Sequence, residues 1–196
     1  MNHNDKIVIT SNRIYFKEFP NNFIMMDWEI PLMEKHAEVV CQDGGHIIEI
    51  GFGLGISANY IQKQNILSHT IIEIHDDIYQ NLLEWSKDKP NVIPIKGDWF
   101  EISDQLELNK YDGVFYDGHG NRNEMKIIDF AIKHLKPNGI FTYFDLKGVD
   151  VFKLGNKLNI KKVNVIPDID CNYCGLNPTQ LTEVCYPWVR LNTPNN

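Results

Sequence analysis

The chain has 196 residues, 43% of them hydrophobic and 23% charged, which suits one globular domain with a sizeable core and excludes wholesale disorder. Nineteen basic against twenty-six acidic residues leave a net charge of −7, so a broad phosphate-binding surface and a nucleic-acid partner are not expected, and a cationic ligand is favoured. No apolar run approaches the roughly 20 residues needed to cross a bilayer, and Met1-Asn2-His3-Asn4-Asp5-Lys6 lacks the apolar stretch of a secretory leader; no membrane association and a cytoplasmic location follow.

Residues 1–24 mix short apolar stretches with Asn and Pro and give no periodic signal, so they are read as an N-terminal arm ahead of a domain over 25–196. From Glu29 to Val40, Pro31 suits a first helical turn, and Leu32, Met33, His36, Val39 and Val40 recur at helical spacing toward Gly44-Gly45. His46 to Ile50 is an apolar strand and Ile56 to Gln64 a helix. The β-branched run His69 to Ile74 is a buried parallel strand. Ile78 to Trp85 is helical, and Asn91 to Lys96 is a strand whose Pro94 marks a sheet edge. Tyr111 to Tyr116 is a strand and Met125 to Leu135 a helix. A turn over Lys136-Pro137-Asn138-Gly139 leads to a strand from Ile140 to Tyr143. The tail reads as two strands, Val163 to Ile166 and Glu183 to Leu191, forming a closing antiparallel hairpin on the sheet edge. Regular alternation of strand and helix predicts an α/β, doubly wound, mostly parallel Rossmann-like sheet that binds ligands beyond the carboxyl ends of its strands.

Those strand ends carry a coherent set of groups. The first empties into Gly51-Phe52-Gly53-Leu54-Gly55-Ile56, where close backbone approach to a ligand and a tight strand-to-helix turn are both served by glycine. Dinucleotide binding needs glycine at position 56, which is Ile here; G-x-G-x-G followed by an acid at the next strand end suits S-adenosylmethionine better. That acid is Glu73, followed by Ile74 and His75, and a carboxylate there can accept both ribose hydroxyls. The third strand end offers Gly97 and Asp98, the latter placed either to meet an adenine amino group or to cap the helix that follows. The fourth delivers Asp117, a candidate base and equally a turn residue before Gly118. A second carboxylate, Glu29, follows Trp28 at a helix start, where it can also complement the helix N-terminus. Cys171-Asn172-Tyr173-Cys174 has metal-knuckle spacing without a second pair, so free thiols in a reducing compartment are the plainer reading, and no metal is called.

The run Met25-Met26-Asp27-Trp28-Glu29-Ile30-Pro31-Leu32-Met33, the glycine loop, Ile72-Glu73, Ile93-Pro94-Ile95-Lys96-Gly97 and Tyr111 to Asp117 are collinear with, and closely resemble, the guanidinoacetate methyltransferase family and the related fungal-type arginine δ-N-methyltransferases. The resemblance covers approximately residues 24–147. It implies the class I methyltransferase fold and S-adenosylmethionine as methyl donor, with S-adenosylhomocysteine as product. It further implies a donor site formed by the residues matching Met25, Met33, Gly51, Phe52, Gly53, Leu54, Gly55, Ile56, Glu73, Ile74, His75, Gly97, Asp98 and Asp117. Glu29 and Asp117 match the carboxylates that grip the substrate guanidinium, with Asp117 as proton acceptor; the N-terminal arm, which in the family helps close the active site, is shorter here than in the animal enzymes.

Departures from the family pattern bear on the acceptor. The family's Asn-Leu-Thr-Ser, whose last two residues hold the substrate carboxylate, is Asp145-Leu146-Lys147-Gly148 here, so Lys147 and Gly148 take those positions and guanidinoacetate itself is in doubt. Lys147 reads as a point charge for an acceptor carboxylate or as a solvated lysine. Gly118-His119-Gly120 replaces the family's Thr-Tyr, and His119 is either a proton-transfer aid or incidental. The expected acceptor is a small guanidino acid, arginine, or an arginine-containing peptide. Methylation of an amine or hydroxyl, and a non-catalytic cofactor-binding partner protein, are the alternatives. The oligomeric state stays open, a homodimer included.

Overall fold

In a computed structural model of the chain, residues 4–118, 124–145, 158–166 and 183–191 are described. Three strands come first, β1 (Ile7–Ile9), β2 (Arg13–Phe16) and β3 (Phe19–Met26), followed by α1 (Ile30–Val40). The alternating segment then runs β4 (His46–Ile50), α2 (Ile56–Ile61), β5 (Ser68–Glu73), α3 (Asp76–Ser86), β6 (Val92–Lys96), β7 (Tyr111–Tyr116), α4 (Glu124–His134) and β8 (Leu135–Tyr143). β9 (Asn159–Asn164) and β10 (Glu183–Arg190) close it.

Seven strands form one sheet in the order β6-β5-β4-β7-β8-β10-β9. The first five are parallel, and β10 and β9 add antiparallel. The sheet therefore has the expected doubly wound, mostly parallel form with an antiparallel pair at its far edge. Its continuous apolar strands are covered on both faces, as parallel strands require. Ile47 and Phe115 meet α1, while Ile48, Ile50, Val114 and Tyr116 pack with Ile127 and Phe130 of α4. Ile71 faces Ile78 and Leu82 of α3. Pro94 sits in β6 at the sheet edge, where its missing N–H interrupts no ladder.

Two polar ties cross this core. Glu49, with no exposed surface, accepts from Ser57 Oγ of α2 and lies 3.0 Å from His69 Nε2 on β5. On the other side of the ring, Gln62 Nε2 of the segment after α2 lies 3.2 Å from His69 Nδ1. On α1, His36 Nδ1 donates to Thr142 Oγ1 at 2.8 Å, and Thr142 passes its own proton to the Pro187 carbonyl at 2.6 Å. His36 stacks on Phe115 with ring centroids 4.9 Å apart, and burial pushes its pKa down to about 3, so it is neutral.

The sequence and the structure part company in three places. The arm that lacks periodicity forms the antiparallel sheet β1-β2-β3. Its strands, of three and four residues before the eight-residue β3, are too short to display alternation; backbone pairing and the burial of Ile14 among Phe52, Ile71, Ile78 and Leu82 hold them. The turn expected over Lys136–Gly139 is a bulge inside β8: Tyr111 pairs with Leu135 and Gly113 with Ile140, and Asn138 takes a φ of 64° to absorb the extra residues. β9 spans Asn159–Asn164 rather than Val163–Ile166, because an exposed edge strand is fixed by its ladder to β10 and not by an apolar pattern. Among the described residues no helix is long and apolar enough to cross a membrane.

Ile14 is the apolar pin between the small sheet and the large one. Replacing Ile14 by Ala should cost about 2–5 kcal/mol of stability, the range for truncating a fully buried aliphatic side chain. Urea titration checks the cost, and limited proteolysis should show early cleavage within residues 7–26; a loss below about 1 kcal/mol would deny Ile14 that role.

Candidate functional site

Strand order reverses between β4 and β7: β5 and β6 extend one way from β4, while β7 and β8 extend the other. A crevice forms at such a switch point beyond the carboxyl ends of the two strands. The register sets Ile50 opposite both Ile72 and Tyr116, so Gly51, Glu73 and Asp117 leave three adjacent strands at one level. Backbone bonds fix this level, Gly51 donating to Ile72 O and Asp117 to Ile50 O, each at 2.9 Å.

The glycine loop is pressed between these strand ends and the small sheet. Gly51 has φ +93°, and a Cβ there would stand 2.4 Å from the Asp117 carbonyl oxygen. Gly53, at φ +54°, would place a Cβ 2.5 Å from Met25 Sδ. That sulfur accepts the Leu54 amide at 3.2 Å. Met33 is fully buried in the same apolar cluster as Met25, and Leu54 and Ile56 pack against that cluster.

At the end of β5 the Glu73 carboxylate is 2% exposed. Its Oε2 accepts the Phe52 amide at 2.9 Å and its Oε1 the His75 amide at 2.7 Å. Burial raises its pKa, and the amide bonds from His75 and Phe52 partly oppose that rise. Each oxygen keeps capacity for a further donor, an arrangement suited to a vicinal diol. Ile74 is half-buried, and its carbonyl accepts from Lys96 at 2.6 Å. His75 spends its imidazole elsewhere: Nδ1 caps α3 by accepting the Asp77 amide at 3.2 Å, and Nε2 donates to the Asp5 carbonyl at 2.7 Å. Gly97 donates to the Glu73 carbonyl at 3.0 Å, drawing the ends of β5 and β6 together. Asp98 is half-buried, and its Oδ1 accepts the Phe100 amide at 2.8 Å; a turn follows it, so this bond closes a turn and is not the helix cap expected as its alternative. Trp99 beside it lies edge-on to Tyr116 and Phe130 at 5.9 and 5.5 Å.

The side of the crevice toward the start of α1 is acidic. Glu29, the residue before α1, is 1% exposed, and its Oε1 accepts the Met26 amide at 2.8 Å. It thus reaches back to close the turn that opens the helix. Its carboxyl is held well above the usual range, chiefly by burial and next by the neighbouring charge of Asp117, with the Met26 amide opposing. Residues 88 positions apart in sequence are in this way brought into electrostatic contact. Asp117 is half-buried at the mouth of the crevice. A paired carboxylate site of this kind can take up one proton or one planar cation.

Most of the sequence-derived set therefore gathers at one crevice: Met25, Glu29, Gly51 to Ile56, Glu73, Gly97, Asp98 and Asp117. Lys147, Gly148, His119, Cys171 and Cys174 lie outside the described residues. The sequence did not reveal that Met25 props the loop or that the Met26 amide holds Glu29. Only the methionine doublet before Trp28 hinted at the first, and the three-residue spacing of Met26 and Glu29 at the second.

Comparison with known proteins finds a match to the guanidinoacetate N-methyltransferase family over residues 17–163. The protein arginine N-methyltransferase 2 of Yarrowia lipolytica is 31% identical over 159 residues, covering 74% of this chain and 33% of that protein. The protein of the same name from Kluyveromyces lactis is 34% identical over 139 residues, covering 65% and 34%. The chain thus spans about a third of the length of these curated relatives. In fold it is similar to spermidine synthase from Thermotoga maritima, with TM-score 0.63 and 13% identity over 96% of this chain and 74% of that one. It is also similar to the N-methyltransferase NodS from Bradyrhizobium japonicum, with TM-score 0.62 and 13% identity over 85% and 97%.

The raised Glu29 pKa has a measurable sign. Folded Glu29 binds its proton more tightly than the unfolded residue does, so the stability linked to that proton is complete below pH about 4.3 and is lost as pH rises through the raised value. Glu29→Gln keeps an oxygen for the Met26 amide and removes the charge. It should melt about 2–4 °C or more above the wild type at pH 8, the equivalent of about 1 kcal/mol for a chain of this size. The advantage should vanish near pH 4. Calorimetric melts across that range check it, and an advantage that persists at pH 4 would point to packing instead.

Proposed function

This chain belongs to the guanidinoacetate N-methyltransferase family, and from that premise we propose that it transfers the methyl group of S-adenosylmethionine to a nitrogen of a guanidino acceptor. The acceptor is arginine, free or in a peptide, or a small guanidino acid; the name of the curated relatives, protein arginine N-methyltransferase 2, supports arginine. The observation that carries the reading is the placement of two carboxylates at one crevice, Glu29 buried at the start of α1 and Asp117 leaving β7 beside Gly51.

A guanidinium is planar, permanently cationic at neutral pH and a poor nucleophile while its lone pairs are delocalised. Two carboxylates suit it, because they offer paired charge-assisted hydrogen bonds and hold one nitrogen in a fixed direction. Glu29 anchors the cation. Burial and the charge of Asp117 raise its pKa, and a bound guanidinium, offsetting both charges, would oppose that rise. Asp117, at the more open mouth of the crevice, orients the attacking nitrogen and takes the proton it loses. Trp28, itself 7% exposed, donates its indole N–H to Met26 Sδ beside the amide that holds Glu29.

When bound, S-adenosylmethionine supplies an electrophilic methyl on sulfonium sulfur and leaves as S-adenosylhomocysteine. The residues fit it. Glu73, with both oxygens aimed by backbone amides, would receive the ribose hydroxyls; Gly51 to Ile56, Met25 and Met33 would line the amino-acid side. Gly97 and Asp98 would border the adenine, Asp98 with only its Oδ2 clear of the Phe100 amide. Ile74 and His75 would contribute backbone, since the His75 imidazole is already engaged. A cytoplasmic setting belongs to the same reading, and the free buried thiols of Cys41 and Cys185 favour it.

The test is methyl transfer from labelled S-adenosylmethionine to a panel of guanidino, amine and phenol acceptors. Transfer is expected to guanidines, and transfer confined to amines or phenols would overturn the reading. Asp117→Asn should lower kcat about 10²–10⁴-fold, the usual worth of a general base, while S-adenosylhomocysteine binding holds within a few-fold. Near-normal turnover would remove Asp117 from that role.

A further inference from the structure

The last two residues of β3 stand between the two halves of the crevice. Met25 Sδ accepts the Leu54 amide at 3.2 Å, gripping the glycine loop at its midpoint. One residue on, the Met26 amide donates to Glu29 Oε1 at 2.8 Å. The Trp28 indole N–H then donates to Met26 Sδ at 3.3 Å. Met25, Met26, Trp28 and Glu29 are all buried, with Met26 fully so, and they leave no slack for one contact to shift without the others. Gly53 is pinned from the other side, since its Cα has Met25 Sδ where a Cβ would be. A leucine at position 25 would fill the space equally well, yet it could not accept the Leu54 amide.

We propose that Met25 is a positioning residue that couples the two subsites: its thioether holds the loop at Leu54, and the adjoining Met26 amide carries any shift of that loop to Glu29. Occupancy of the glycine loop then raises the affinity of Glu29 for the cationic acceptor, and by linkage the acceptor tightens the loop ligand by the same factor. This rests on the guanidine reading given above.

The experiment measures the affinity of the whole chain for L-arginine amide by calorimetry, with and without saturating S-adenosylhomocysteine. The wild type should bind the amide about fivefold or more tightly when S-adenosylhomocysteine is present, the lower end for coupled sites. Met25→Leu, close to volume-conserving and so expected to fold, should reduce that ratio to about twofold or less. It should also speed hydrogen exchange at the Leu54 amide about tenfold, the loss of about 1.4 kcal/mol of protection. Gly53→Ala, which drives a methyl group into the same sulfur, should lower the ratio independently. A wild-type ratio near one, or a ratio unchanged in both variants, overturns the coupling and leaves the guanidine reading intact. A wild type that binds S-adenosylhomocysteine but not L-arginine amide under either condition brings down the guanidine reading, and the coupling with it.

Discussion

Placing a carboxylate out of water beside a second one carries a free-energy penalty that a backbone amide offsets in part and a proton or a cation more fully. Glu29 lives under that constraint, and much of the surrounding structure is arranged to maintain it. The small sheet delivers the Met26 amide to Glu29, α1 starts from it, and the ladder between β4 and β7 fixes the level at which Asp117 emerges. The Asp117 backbone in turn leans on Gly51, so the acidic wall and the glycine loop share one boundary.

Holding two charges at a set separation demands elements that do not slip. Apolar contacts between helix and sheet are non-directional and tolerate small slides. Here directional polar ties supplement them. Ser57, Glu49 and His69 lock α2 to β4 and β5, and His36 with Thr142 locks α1 to β8 and β10. Such buried groups are costly if broken, which favours one register over its neighbours. The neutral state of His36 keeps a third charge away from this packed face.

The parallel sheet was legible because its strands are buried on both faces and therefore read as largely apolar runs separated by helical segments; Pro94 even marked the edge. The positions of Glu73 and Asp117 followed from that alternation alone, since topology puts successive strand ends together. What stayed hidden depends on contacts distant in sequence. Ile14 is buried against residues 38 to 68 positions away, and no local pattern in Arg13–Phe16 announces it. The exposed lysines and asparagines of β9 likewise hide a strand that its partner defines. At the site, the sequence offered His75 as a ligand contact, whereas its side chain serves the α3 cap and the Asp5 carbonyl. Choosing among such roles requires knowing where the arm lies.

The division of labour between the two sheets bears on how the walls of the crevice can change over evolutionary time. Glu29 and its immediate support come from one contiguous stretch, residues 7–29, while Glu73, Gly97 and Asp98 come from the large sheet. Under the function proposed above, drift or exchange within that stretch changes one of the two carboxylates that would meet the acceptor, while Asp117 and the other strand ends of the large sheet stay fixed. The exchange carries one condition. Because Met25 touches the glycine loop and Met26 touches Glu29, the doublet has to travel as a unit, and the interlock narrows the set of viable intermediates.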